Sequence, residues 1–236
     1  MAEAARAVGL AAVEWGIGPG QALESPRAAR RALRNVDVEP AGICVQGGAA
    51  SLTAPARLGP FAALAAELGA PHIRVFAPAY RAGARERAPD GLARAAQIAA
   101  AHGVALLVET SPGTIAPSTA QARALVGGLP PEHVGVLYDP GNMAIEGHVD
   151  PTLAVEELGP YLHHVHVKNI AWRRRAGTWS WQHAGLDAGF LDWRDVLLAL
   201  RRARYTGALS LDHLGGRPSV ALLRREVAFL RSLLSR

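Results

Sequence analysis

VGVLYDPGNMAIEGHVDPTLAVEELGPYLHHVHVK, residues Val134–Lys168, holds a complete strand–helix–strand unit. Its two ends, Val134–Asp139 and Leu162–Lys168, are short Val/Leu-rich runs, and Pro151–Leu158 between them has helical spacing with proline in its first turn. Two strands joined by so long a crossover pair in parallel. The same alternation runs outward in both directions. Further strands are predicted at Ala12–Trp15, Gly42–Gln46, His72–Phe76, Val104–Thr110 and Ala208–His213. Helices are predicted at Ala2–Val8, Pro26–Asn35, Pro55–Leu68, Gly91–His102, Ser118–Gly127, Trp193–Arg204 and Ser219–Leu234. No linker or change of composition interrupts them, so residues 1–236 form one predicted domain. The class is α/β, a (β/α)8 TIM barrel whose first strand is missing, because seven strands are found and the chain opens on a helix. An open doubly wound sheet is the alternative, but no Gly-rich phosphate loop follows an early strand.

Composition narrows the function classes. Half of the residues are hydrophobic, enough for a folded core, and no apolar run approaches the roughly 20 residues of a membrane span. The N-terminus carries an acid at Glu3 and lacks the continuous apolar stretch of a secretory signal. The single cysteine, Cys44, forms no internal disulfide and reads as a buried strand thiol; a cytoplasmic enzyme is expected. The net charge of +5 comes almost wholly from arginines scattered along helices, which argues against a nucleic-acid partner. The densest cluster, Arg173-Arg174-Arg175, falls in a predicted loop, Ile170–Leu191, either solvated or touching an anionic substrate.

In a parallel barrel the chemistry gathers at the C-terminal ends of the strands. ALLVE ends in Glu109, VGVLYD in Asp139, HHVHVK carries His166, and ALSLD ends in Asp212. The first three follow one another at about 30 residues, one βα repeat. Within each strand the alternation puts them on the inward face, with Leu107 below Glu109, Leu137 below Asp139, His164 below His166 and Ser210 below Asp212. Three carboxylates and an imidazole meeting at one point need a counter-charge. One divalent cation supplies it; the oxygen-rich set suits Mn²⁺, Mg²⁺ or Co²⁺, with Zn²⁺ possible.

The motifs LGAPHIRVF (Leu68–Phe76), VETSPGT (Val108–Thr114), YDPGNM (Tyr138–Met143), HVHVKN (His164–Asn169), GTWSW with GFLDW, and YTGALSLDH (Tyr205–His213) resemble the sugar-phosphate isomerase/epimerase family with the xylose-isomerase-like barrel. The resemblance spans nearly the whole chain. It implies a metal held by Glu109, Asp139, His166 and Asp212, with the first and last carboxylates moving a proton beside a carbonyl. The chain departs from the family in three ways. Asp212 stands where the family usually has the longer Glu, Asn142 where many epimerases have a substrate-binding His, and the first strand has no counterpart.

The catalytic set expected is therefore Glu109 as base, Asp212 as its opposite-face partner or a ligand, and Lys168, the sole lysine, holding a substrate oxygen or an enolate. The substrate-binding set expected is Glu14, Trp15, Arg74, Asn142 and Trp172, with Glu14 meeting a hydroxyl or pairing with Arg74. Trp179 and Trp181 could add to the pocket wall. His164 reads as support for His166, Trp193 as packing, and His213 as pointing away from the barrel. The expected activity is a metal-dependent isomerase or epimerase acting on a small polyhydroxylated carbonyl compound, a sugar, sugar phosphate or polyol ketone, through an enediolate. Dehydration or aldol-type cleavage would use the same site. An abasic-site endonuclease-like phosphodiesterase would need more strand-end histidines and basic loops, and a non-catalytic barrel is the third alternative. Open edges at Ala12–Trp15 and Ala208–His213 predict a homo-oligomer or an upstream strand.

Overall fold

A computed structural model describes residues 2–18, 26–46, 51–212 and 219–235. In chain order these form α1 (Ala2–Ala7), β1 (Ala12–Ile17), α2 (Pro26–Asn35), β2 (Glu39–Val45), a 3-10 turn (Pro55–Leu58), α3 (Gly59–Leu68) and β3 (His72–Phe76). Then come α4 (Ala84–Ala101), β4 (Ala105–Glu109), α5 (Thr119–Val126), β5 (Val134–Tyr138), α6 (Pro140–Glu146), α7 (Pro151–Leu158) and β6 (Leu162–Val167). The chain continues through β7 (Asn169–Arg175), β8 (Thr178–Ala184), α8 (Trp193–Arg202), β9 (Leu209–Leu211) and α9 (Val220–Leu234).

β1 through β6 and then β9 make one parallel sheet of seven strands, curled into a nearly closed barrel with helices outside. Among the described residues no strand lies between β1 and β9. His213, expected to point away from the barrel, lies outside the described residues. Across the open side, Arg231 of α9 donates from Nη2 to the Gly9 carbonyl ahead of β1 at 2.7 Å. None of the described helices is long and apolar enough to cross a membrane.

Strand alternation sorts the side chains into two layers. Ile73, Val75, Leu106, Val108, Val134, Val136, Val165 and Val167 face outward and pack against the helices, all buried. The helices meet them with small residues, among them Ala62, Ala65, Ala95 and Ala99, so helix and sheet approach closely. Gly91 of α4 is required in the same way, since a Cβ there would lie 1.8 Å from the Leu52 carbonyl oxygen. The opposite parity, His72, Arg74, Leu107, Glu109, Leu137, His164 and His166, fills a bore that is mostly polar.

Three elements differ from the sequence expectation. The predicted loop Ile170–Leu191 contains an antiparallel hairpin, β7–β8, turning at Ala176 and Gly177, both with positive φ. That is the backbone of a two-residue hairpin turn, reached here without the Asn-Gly or Asp-Gly pair that usually signals it. α4 starts upstream of Gly91 and carries Pro89 inside, at the cost of one backbone hydrogen bond. α6 was not expected; Asp139 caps it and Pro140 opens it.

Candidate metal centre

Glu109 closes β4, Asp139 follows β5, His166 lies in β6 and Asp212 follows β9. Each places a donor atom within 4.8 Å of the others. At their centre is His166 Nδ1, which lies 3.5 Å from Glu109 Oε1 and 3.7 Å from both Asp139 Oδ2 and Asp212 Oδ2. This nitrogen is buried and makes no hydrogen bond. Glu109, Asp139 and His166 are buried, whereas the Asp212 side chain is 23% exposed.

Each of these side chains is held by its own neighbours. Glu109 is gripped at both oxygens: Asn142 Nδ2 donates to Oε1 at 2.9 Å and Arg74 Nε lies 2.9 Å from Oε2. Burial would raise this carboxyl, but Arg74 and then His166 outweigh it and hold Glu109 below the usual range. Asp139 spends Oδ1 on the α6 N-terminus, accepting from the Asn142 backbone N–H at 2.8 Å, and turns Oδ2 to the cluster. Lys168 Nζ lies 2.7 Å from Asp139 Oδ2 and 2.7 Å from Asp212 Oδ2. Burial disfavours its charge, yet the two carboxylates hold its pKa above the ordinary value. Gly141 makes room for it, because a Cβ there would come within 2.5 Å of Lys168 Cγ.

Below this level Glu14 occupies the bore. Its Oε2 lies 3.0 Å from His166 Nε2 and 3.3 Å from His164 Nε2. Its Oε1 lies 3.4 Å from His72 Nε2, and the Cys44 thiol donates to it at 3.4 Å. Burial opposes its ionisation, but His164, His166 and His72 hold its pKa well below the carboxylate norm. The expected pairing of Glu14 with Arg74 is thus corrected: Arg74 points up to Glu109, one inward position beyond the level where Glu14 sits.

Burial disfavours an imidazolium at His166, but Asp139, Cys44, Glu109 and Glu14 hold its proton affinity well above the ordinary value. A cation at Nδ1 would do the same electrostatic work. Among the described residues, the four carboxylates Glu14, Glu109, Asp139 and Asp212 face two permanent cations, Arg74 and Lys168. The two negative charges left over, with the histidines neutral, match one divalent ion. Carboxylate oxygens with one imidazole fit the Mg²⁺/Mn²⁺ class.

Other expected residues are placed differently. Trp15 is not on a pocket wall; alternation carries it to the helix side, against the cluster of Ala5, Val13, Leu33 and Val38. Asn142 donates to Glu109 and to the Thr110 carbonyl, where it orients the Glu109 carboxylate. Trp172, opposite Trp181 midway along the hairpin, packs against Ala144, Ile170 and Leu191. Trp179 and Trp181, 62% and 38% exposed, and Arg173, Arg174 and Arg175 lie toward the solvated end of the hairpin. Trp193 is fully buried as packing and donates from Nε1 to the Lys168 carbonyl at 3.2 Å. His164 bonds Ser210 Oγ at 2.8 Å beside Glu14. Sequence reasoning missed His72 as part of this cluster, although it shares strand parity with Arg74. It also missed Thr110, whose Oγ1 accepts from the Asp139 N–H at 2.9 Å.

Solved structures share this fold at low identity. A magnesium complex of a xylose isomerase-like TIM barrel protein from Mycobacterium smegmatis aligns over 99% of this chain and 86% of its own, with TM-score 0.77 and 18% identity. The probable 3-DHS dehydratase AsbF from Bacillus anthracis aligns over 98% and 92%, with TM-score 0.79 and 20% identity. A D-allulose 3-epimerase from Methylomonas sp. aligns over 98% and 90%, with TM-score 0.80 and 14% identity. No curated protein matches the chain in sequence. The family model of the xylose isomerase-like TIM barrel matches residues 2–233, nearly the whole of a chain folded as a parallel barrel, and the chain belongs to that family.

Proposed function

We propose that the protein is a divalent-cation-dependent enzyme that moves a proton on the carbon beside a carbonyl of a small polyhydroxylated substrate, as an isomerase or epimerase. The observation that carries this reading is the unbonded, buried His166 Nδ1 facing three carboxylate oxygens at 3.5 to 3.7 Å. Glu109, Asp139, His166 and Asp212 would hold the cation. A divalent ion there supplies Lewis acidity, which makes the neighbouring carbon-bound proton more acidic and offsets the charge that develops on oxygen.

The chain's own residues divide the remaining work. Asp212 is the proton carrier, because it is the only ligand with appreciable exposure and sits at the barrel mouth. Glu109, expected as base, is the poorer choice: both its oxygens are occupied and its basicity is reduced. Lys168 stays charged beside Asp212 and can hold a substrate oxygen as it gains negative charge.

The similar structures named as an allulose epimerase and a dehydratase support this broad chemistry. Dehydration is the second reading, favoured by Asp212 being the one partly exposed carboxylate of the four-residue cluster: one base can remove a proton and, once protonated, assist departure of the neighbouring hydroxyl. Incubation in heavy water with a panel of ketoses, inososes and keto acids tests both. Deuterium entering recovered substrate or its epimer supports the first reading. Loss of water with formation of an unsaturated carbonyl supports the second. Absence of both with metal-loaded protein across the panel overturns the enolisation reading.

A further inference from the structure

We infer that Glu14, on the first strand of the barrel, is a positioning residue that decides which nitrogen of His166 faces the cation. The inference rests on the four-ligand reading of Glu109, Asp139, His166 and Asp212.

The two ring nitrogens of His166 meet opposite surroundings. Nδ1 is buried and makes no hydrogen bond, and three carboxylate oxygens look onto it. Nε2 lies 3.0 Å from Glu14 Oε2, a buried carboxylate that can only accept. A neutral imidazole has one N–H; with Glu14 ionised, it belongs on Nε2, leaving the Nδ1 lone pair for the cation. A carboxylate behind a metal-binding histidine also raises the basicity of the donor nitrogen.

Glu14 is itself held. His164, His72 and Cys44 crowd around its two oxygens at 3.3 to 3.4 Å. Gly42, paired with Glu14 in the β1–β2 register, leaves the space His72 needs, since a Cβ there would lie 2.2 Å from His72 Nε2. Glu14, His164 and His166 could also be taken as ligands of a second ion. The bonding distinguishes the two levels: every one of these lower donor atoms already has a partner, including His164 Nε2 with Ser210 Oγ at 2.8 Å, whereas Nδ1 above has none. The lower group is complete as a hydrogen-bonded support.

Mn²⁺ titration of the full chain by calorimetry tests the assignment, with wild type, His166→Ala and Glu14→Gln compared. One equivalent in wild type, none in His166→Ala, and a Glu14→Gln affinity weaker by about 10–100-fold is the expected result. Wild-type affinity in Glu14→Gln overturns the role of Glu14 and leaves the four-ligand reading standing. No binding by wild type removes both. Two equivalents in wild type with one in Glu14→Gln makes Glu14 a ligand and overturns the positioning role. Should Glu14→Gln fail to fold, ¹⁵N NMR of the histidines in Zn²⁺-loaded wild type decides: a protonated Nε2 on His166 supports the inference, a protonated Nδ1 sinks it.

Discussion

Glu109 has the position of a base and the surroundings of a fixed ligand. Arg74 and Asn142 each hold one of its oxygens at 2.9 Å. Removing its charge should therefore act on cation affinity first: Glu109→Gln leaves Arg74 buried without its partner and weakens the site. Saturating the variant with Mn²⁺ should restore much of the turnover, whereas a lost base would keep kcat low at any metal concentration. Kinetics of Glu109→Gln across a Mn²⁺ series make the comparison. The convergence of Glu109, Asp139, His166 and Asp212 was legible from strand-end position and parity. What the sequence hid was the direction of each neighbour. Glu14 and Arg74 both point inward, yet their heights in the bore send one to the histidines and the other to Glu109. Height depends on strand stagger, including the irregularity at Val13/Glu14, which a linear pattern does not contain.

At the scale of elements, the joint between barrel and hairpin runs through α8. Trp193 opens that helix behind the Asp192 cap, is fully buried, and bonds the carbonyl of Lys168 at the point where β6 gives way to β7. Trp193→Ala should destabilise the fold by about 3–5 kcal/mol, read from denaturant unfolding. It should also weaken cation binding, because it frees the backbone that carries Lys168. Trp193→Phe, which keeps an aromatic ring but shrinks it and removes the N–H, should lose less than Trp193→Ala, about 1–3 kcal/mol. Strands and helices with strong periodicity were legible within a few residues. The misses have local causes. α6 follows Asp-Pro, a good helix start, but Gly141 and Asn142 read as a turn; here Asn142 is committed to Glu109 and Gly141 to the passage of Lys168. The hairpin escaped because its turn residue Ala176 takes positive φ without the usual Asn, Asp or Gly.

For the whole molecule, the seven-strand count and the absence of a strand between β1 and β9 among the described residues agree with the sequence expectation. β9 is only three residues long, which limits pairing at that edge, while β1 offers six. Self-association should therefore proceed through β1, giving oligomers in sedimentation at micromolar concentration. A β1 substitution of an exposed residue, Gly16→Pro, removes an edge N–H and should shift the protein to monomer. A wild-type protein that sediments as a monomer throughout would show that the open edge is covered within the chain.

The open side of the barrel also has a bearing on how cation occupancy would be felt along the edge strand β1. Glu14 reaches from β1 to His164 and His166 on β6, tying together two strands that share no backbone hydrogen bond. Fraying of the N-terminal strand must break that tie and loosen the imidazole that faces the cation. A bound ion then stabilises the closed form of this strand by mass action, about 2.7 kcal/mol at a hundred times its dissociation constant if opening abolishes binding. Amide protons of Ala12–Ile17, an edge segment that would otherwise exchange early, would then report whether the site beside His166 is loaded.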